Sequence, residues 1–123
     1  MLKNHPLLHR VLSELKKLQI NEFSHLLLGV SGGVDSVFLA RILNECRGIL
    51  KFEVSMAYIH HGASTDQNLS EFRGQAYQFV RALASEINVP FLTNIKGPSK
   101  ELRGEQELRE YRYSQLEKFR CDI

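Results

Sequence analysis

The sequence predicts an α/β protein built on a doubly wound parallel sheet, and three observations predict it. Segments with strand character alternate along the chain with segments whose apolar residues recur at helical spacing. The first strand candidate, Leu26 to Val30, is a continuous apolar run, the pattern of a strand buried on both faces of a parallel sheet. A break at Ser31, Gly32 and Gly33 then separates that strand from a helix, which is where α/β folds place ligand-binding turns.

Each element has its own justification. From Pro6, the residues Leu8, Val11, Leu12, Leu15 and Leu18 recur at helical spacing; Pro6 suits a first turn, and Lys16 and Lys17 suit the negative end of the helix dipole. After the glycine turn, Val34, Val37, Phe38, Ile42 and Leu43 resume that spacing, and Gly48 is expected to stop the helix. Phe52 to Ile59 reads as a second strand, and Leu69, Phe72, Ala76, Phe79, Val80, Leu83 and Ile87 mark a long helix. Val89 to Ile95 supplies a third strand. A turn-rich stretch around Gly97, Pro98, Ser99 and Gly104 leads into a last helix carrying Leu108, Leu116 and Phe119. Such alternation implies right-handed crossovers. Cys121, Asp122 and Ile123 follow where the alternation asks for a fourth strand, so the domain is expected to be truncated after about three strands.

Composition bounds the function. A chain of 123 residues fits one compact domain, and 43% apolar with 24% charged residues is a globular rather than a disordered profile. The net charge of +2 is too mild to name a nucleic-acid or membrane partner. Cys46 and Cys121 cannot build a disulfide framework and suit no familiar metal spacing, which fits a reducing compartment. Apolar runs such as Leu26 to Val30 are far too short to span a bilayer, and Glu14 interrupts any secretory apolar region. A cytoplasmic location without membrane attachment is therefore expected.

The turn Gly29-Val30-Ser31-Gly32-Gly33-Val34-Asp35-Ser36 has the chemistry of a phosphate site, because glycines expose successive N–H groups at a helix N-terminus. A Walker A loop would need a lysine in the turn, and none is present; the glycines at 29, 32 and 33 do not fit the dinucleotide fingerprint. Gly29-Val30-Ser31-Gly32-Gly33 does satisfy the nucleophile-elbow pattern G-x-S-x-G, which would make Ser31 a hydrolase nucleophile. That elbow requires an acid and then a histidine downstream, whereas the last histidine, His61, comes just after the very next strand. A purely structural alternative is a tight turn in which Asp35 caps the helix.

Ser31-Gly32-Gly33-Val34-Asp35-Ser36 resembles the PP-loop of ATP pyrophosphatases. The resemblance implies that the loop cradles the phosphates of ATP while a substrate oxygen is adenylated at the α-phosphorus and pyrophosphate leaves. The backbone N–H groups of Gly32, Gly33 and Val34, with the Ser31 and Ser36 hydroxyls, are the donors such a unit needs. Asp35 beside phosphates makes chemical sense with a bridging cation, so it is assigned a catalytic and magnesium-linked role.

Two further stretches point to one branch. Ile59-His60-His61-Gly62 resembles the H-x-[NH]-H-G segment of tRNA(Ile)-lysidine synthases, and Glu105 to Tyr113 resembles their E-x-x-x-R-x-x-R-Y segment, in the same order and spacing. This similarity implies that 1–123 is the N-terminal portion of a PP-loop ATP-binding domain. It further implies an ATP-dependent ligase of tRNA processing, with ATP and Mg2+ as cofactors and tRNA(Ile) and free lysine as partners. His61 would join the ATP site, and Arg112, with Tyr113, would support phosphates or RNA. The bland alternatives are a packed or solvated histidine at 60 or 61, and a surface ion pair between Glu105 and Arg109. This chain departs from the branch at Tyr58, where the family has histidine, and at Ala63-Ser64, where it has Leu-Arg. It also lacks the family's H-H-x-D-D-x-x-E-T segment, so the 123 residues alone are expected to be inactive, and their exposed first strand to promote self-association. Other readings are a different PP-loop enzyme, such as a tRNA thiolating enzyme, or a nucleotide-binding module without catalysis. The paired cysteines of the thiolating enzymes are missing here.

Overall fold

The computed structural model describes residues 5–60, 67–94, 98, 102 and 104–122, with 67–70 described by backbone alone. Helix α1 (Pro6–Lys17) starts with proline at a position where a missing N–H costs nothing, and the His5 Nδ1 accepts the Leu7 N–H at 3.1 Å. Its inward face buries Leu8 and Leu15, with Val11 and Leu12 packed beside them.

Strands β1 (His25–Gly29), β2 (Glu53–Tyr58) and β3 (Phe91–Thr93) pair in parallel in the order β1-β2-β3. Leu26 lies opposite Val54, Gly29 opposite Ala57, and Ala57 opposite Leu92. Parallel neighbours need long crossovers, which α2 (Val34–Leu50) and α3 (Gln67–Glu86) supply. Helix α4 (Gly104–Asp122) follows β3.

Side-chain alternation along the strands sorts the helices into layers. Leu26 and Leu28 of β1, with Val54, Met56 and Tyr58 of β2, belong to the core formed with α1, α2 and α3. Gly29 points the other way, since a Cβ added there would sit 3.0 Å from Leu116 Cδ1 of α4. Helices thus cover both faces, as the doubly wound arrangement requires. No helix among the described residues is long and apolar enough to cross a membrane.

Four local expectations are corrected. Gly48 does not stop α2: the helix continues to Leu50 and ends at Lys51, whose backbone is left-handed (φ 65°) and whose N–H donates to the Arg47 carbonyl. Arg47 holds that last turn in place by donating to the Ile87 carbonyl at 2.8 Å. Leu26, Leu27 and Leu28 are half-buried rather than enclosed, because β1 is the edge of the described sheet. The third strand is limited to Phe91–Thr93, its pairing prolonged by the Met56 N–H donating to the Pro90 carbonyl. Finally, Cys121 and Asp122 lie inside α4 rather than beyond it.

Candidate functional site

The site begins where β1 leaves the sheet. Val30 is buried, and its N–H still donates to the Ala57 carbonyl at 2.9 Å, so the chain enters the turn from a fixed point. Gly32 then adopts φ +91°, and a Cβ there would lie 2.9 Å from the Ala76 Cβ of α3. Only glycine meets both conditions without strain, and the turn rests directly on α3.

Gly33 is the N-cap of α2 in extended conformation, and no side chain caps the helix. Asp35 is the second helical residue and is exposed, which removes the alternative in which it serves as the cap. Ser36 Oγ donates to the Gly33 carbonyl at 3.0 Å, the Ser31 and Ser36 hydroxyls are 3.2 Å apart, and the Gly33 N–H reaches Ser31 Oγ at 3.3 Å. The result is a helix N-terminus with two hydroxyls beside it and its first-turn donors uncapped by any side chain, a geometry suited to an anion.

Beside the turn lies a cavity of about 520 Å³, within the range of small-molecule sites. Its floor is Gly29 and Ala57 at the ends of β1 and β2, and Leu116 of α4 closes against Gly29. Phe72, Arg73 and Ala76 come from α3, and Arg112 and Tyr113 from α4. The rim is cationic and aromatic: Phe72 and Tyr113 are 62% and 60% exposed, and Arg112 Cζ stands 5.6 Å from the Tyr113 ring centroid. A flat, partly apolar ligand carrying negative charge fits this combination.

Ser31, Gly32, Gly33, Val34, Asp35 and Ser36 form one continuous turn, and Ser31 also lines the cavity to which Arg112 and Tyr113 come from far along the chain. Val34, the first residue of α2, is 82% exposed. His61 lies outside the described residues. His60 is packed: its ring sits 5.2 Å from Tyr58 and 4.7 Å from Tyr77 between centroids, and burial holds its pKa below the usual value. Tyr58 donates to the Arg73 carbonyl at 3.1 Å, and burial raises its phenol pKa, partly offset by Arg73. On α4, Gln106 bonds Glu110 at 3.1 Å, and the Glu105–Arg109 pair is not among the ion pairs of the described residues. Among the described residues no three His, Cys, Asp or Glu side chains gather as a metal site.

Sequence reasoning missed Phe72, Arg73 and Ala76 as site residues. Phe72 and Ala76 stood out only as members of an apolar helical series, which cannot distinguish a core face from a cavity wall; Arg73 gave no signal.

Residues 7–122 match the PP-loop domain family. Among curated relatives, a tRNA(Ile)-lysidine synthase from Bdellovibrio bacteriovorus is 31% identical over 107 residues, covering 87% of this chain and 32% of the relative. One from a Synechococcus species is 30% identical over 119 residues, covering 97% and 34%, and one from Petrotoga mobilis is 30% identical over 73 residues, covering 59% and 22%. The chain thus spans at most about a third of the length of these relatives. Among solved structures, the NH3-dependent NAD synthetase of Campylobacter jejuni superposes with a TM-score of 0.54 at 17% identity, over 93% of this chain and 48% of that one, which is a likeness of fold. With its glycine turn, its parallel sheet and a match over almost its whole length, this chain belongs to the PP-loop domain family.

Proposed function

We propose that this chain supplies the ATP cradle of a tRNA(Ile)-lysidine synthase, an ATP-dependent ligase of tRNA. The observation that carries the reading is the meeting of a side-chain-uncapped Ser31–Ser36 turn with a cavity that also receives Arg112 and Tyr113. The names of the relatives support the choice of substrate.

In this reading the N–H groups of Gly32, Gly33 and Val34 and the hydroxyls of Ser31 and Ser36 hold the pyrophosphate unit of ATP, while the cavity between Ala57 and Leu116 takes the nucleoside. Asp35 would hold magnesium, which would supply positive charge beside the phosphates. Arg112 stabilises the charge that develops as a cytidine O2 bonds to the α-phosphorus and pyrophosphate departs. The amine of free lysine then bonds to the activated C2 carbon, and AMP leaves with the former O2. His61 is proposed as a further contact to ATP.

The test is AMP formation by the full-length protein that contains this chain, given ATP, magnesium, lysine and tRNA(Ile). AMP released only when both lysine and tRNA are present is the expected result. AMP formed with a sulfur donor but never with lysine would transfer the protein to the thiolating enzymes. The 123-residue chain is proposed to bind nucleotide without forming AMP.

We also propose that this chain associates with a second copy through β1, whose Leu26, Leu27 and Leu28 are half-buried at the sheet edge beside an open groove of about 440 Å³. Light scattering should then give a mass above 14.1 kDa that grows with concentration. A single monomeric species at high concentration would contradict it.

A further inference from the structure

We propose that Asn94, acting through Tyr111, is a positioning residue that sets where Arg112 enters the site; the inference rests on the ATP reading above. Asn94 is 8% exposed and follows β3 directly. Its Oδ1 accepts the His60 N–H at 2.6 Å, and its Nδ2 donates to the His60 carbonyl at 3.0 Å and to the Tyr111 hydroxyl oxygen at 2.9 Å. One amide therefore ties the chain just past β2, the end of β3, and α4.

Only a side chain that both accepts and donates can make the pair of bonds to His60: a carboxylate could accept the His60 N–H but could not donate to the His60 carbonyl. In the pleat of β3, Asn94 shares a face with Leu92, the partner of Ala57, and that is the face on which α4 lies. Helix α4 has no fully buried residue, and Tyr111, Arg112, Leu116 and Phe119 belong to its half-buried face, whose contacts set its pose. Leu116 against Gly29 is one, and Tyr111 on Asn94 is another. Arg112 lies between these two anchors and lines the cavity. A small rotation of α4 about its axis, resisted by the Tyr111 hydroxyl, would carry the guanidinium away from the turn. A misplaced group costs much of its worth even when it is present.

The test is a double-mutant cycle in magnesium-ATP affinity, measured by calorimetry on this chain with Tyr111→Phe, Arg112→Ala and the two combined. ATP binding by the parent chain establishes the site, and its absence overturns the ATP reading and this inference with it; binding that Arg112→Ala leaves unchanged overturns this inference alone. Given binding that Arg112→Ala weakens, Tyr111→Phe is expected to weaken ATP roughly three- to tenfold, the worth of one hydrogen bond, and to have no effect once Arg112 is alanine. Equal effects in the two backgrounds, or no effect with Arg112 in place, would overturn the positioning role and leave the ATP site standing. Asn94→Ala, which removes the partner of the Tyr111 hydroxyl and is run through the same cycle, decides the matter if Tyr111→Phe does not fold.

Discussion

Gly32 carries two requirements at one backbone position: a φ of +91° and a Cβ site already occupied by Ala76. Gly32→Ala should therefore lower stability by about 1–3 kcal/mol, the range for a residue held in a sparsely populated backbone region. Adding Ala76→Gly, with Ala76→Gly alone as the reference for the helix cost of that change, should recover the contact part and leave the backbone part. Urea unfolding of these variants checks this, and full recovery by the second change would assign the whole cost to the contact. His60 gives a pH prediction. Its pKa lies below the ordinary 6.5 in the folded state, so between the two values the unfolded chain binds more protons. Stability then rises with pH through that window and is lost as pH falls below about 6.5. Replacing the ring by His60→Phe should flatten the change in thermal midpoint between pH 7.5 and 5.5; an unchanged slope would exclude His60 as its source. At this scale the Ser31–Ser36 turn was readable because its chemistry is contiguous in the chain. Ala76 and Asn94 were not, because their roles depend on which distant residues fold against them.

Among the elements, α2 shows how a local signal is overridden. Glycine at 48 looked like a stop, yet the left-handed residue that ends the helix is Lys51, and burial of Leu43 and Cys46 together with the Arg47 bond to Ile87 carries the helix past it. Gly48 is therefore an exposed position inside a helix with nothing within 4 Å of an added Cβ. Gly48→Ala should stabilise the protein by about 0.5–1 kcal/mol, since alanine loses less backbone freedom there. A destabilised variant in thermal melts would show that the position is not an ordinary helical one. Strand β1 illustrates the opposite limit. Its apolar run correctly indicated a parallel strand, while its place at the edge of the described sheet, with Leu26 to Leu28 half-covered, was expected from the family resemblance and not from any pattern within its five residues.

For the molecule as a whole, the parallel order β1-β2-β3 brings the ends of two strands, the turn before α2, and residues of α3 and α4 to one cavity. The alternation of strands and helices made that architecture predictable, and the PP-loop match over residues 7–122 agrees with it. What alternation could not supply is how α4 seats on the sheet, since that helix has no fully buried residue and contacts such as Leu116 against Gly29 join positions far apart in the chain. The proposed function makes this assembly an ATP site at which Asp35 would hold magnesium. Calorimetric titration of the chain with ATP, with and without magnesium, tests it most directly when repeated on Asp35→Ala. The account predicts binding that requires magnesium and is lost in Asp35→Ala with the circular dichroism spectrum unchanged. No binding by the parent chain, or binding indifferent to both magnesium and Asp35, would contradict it.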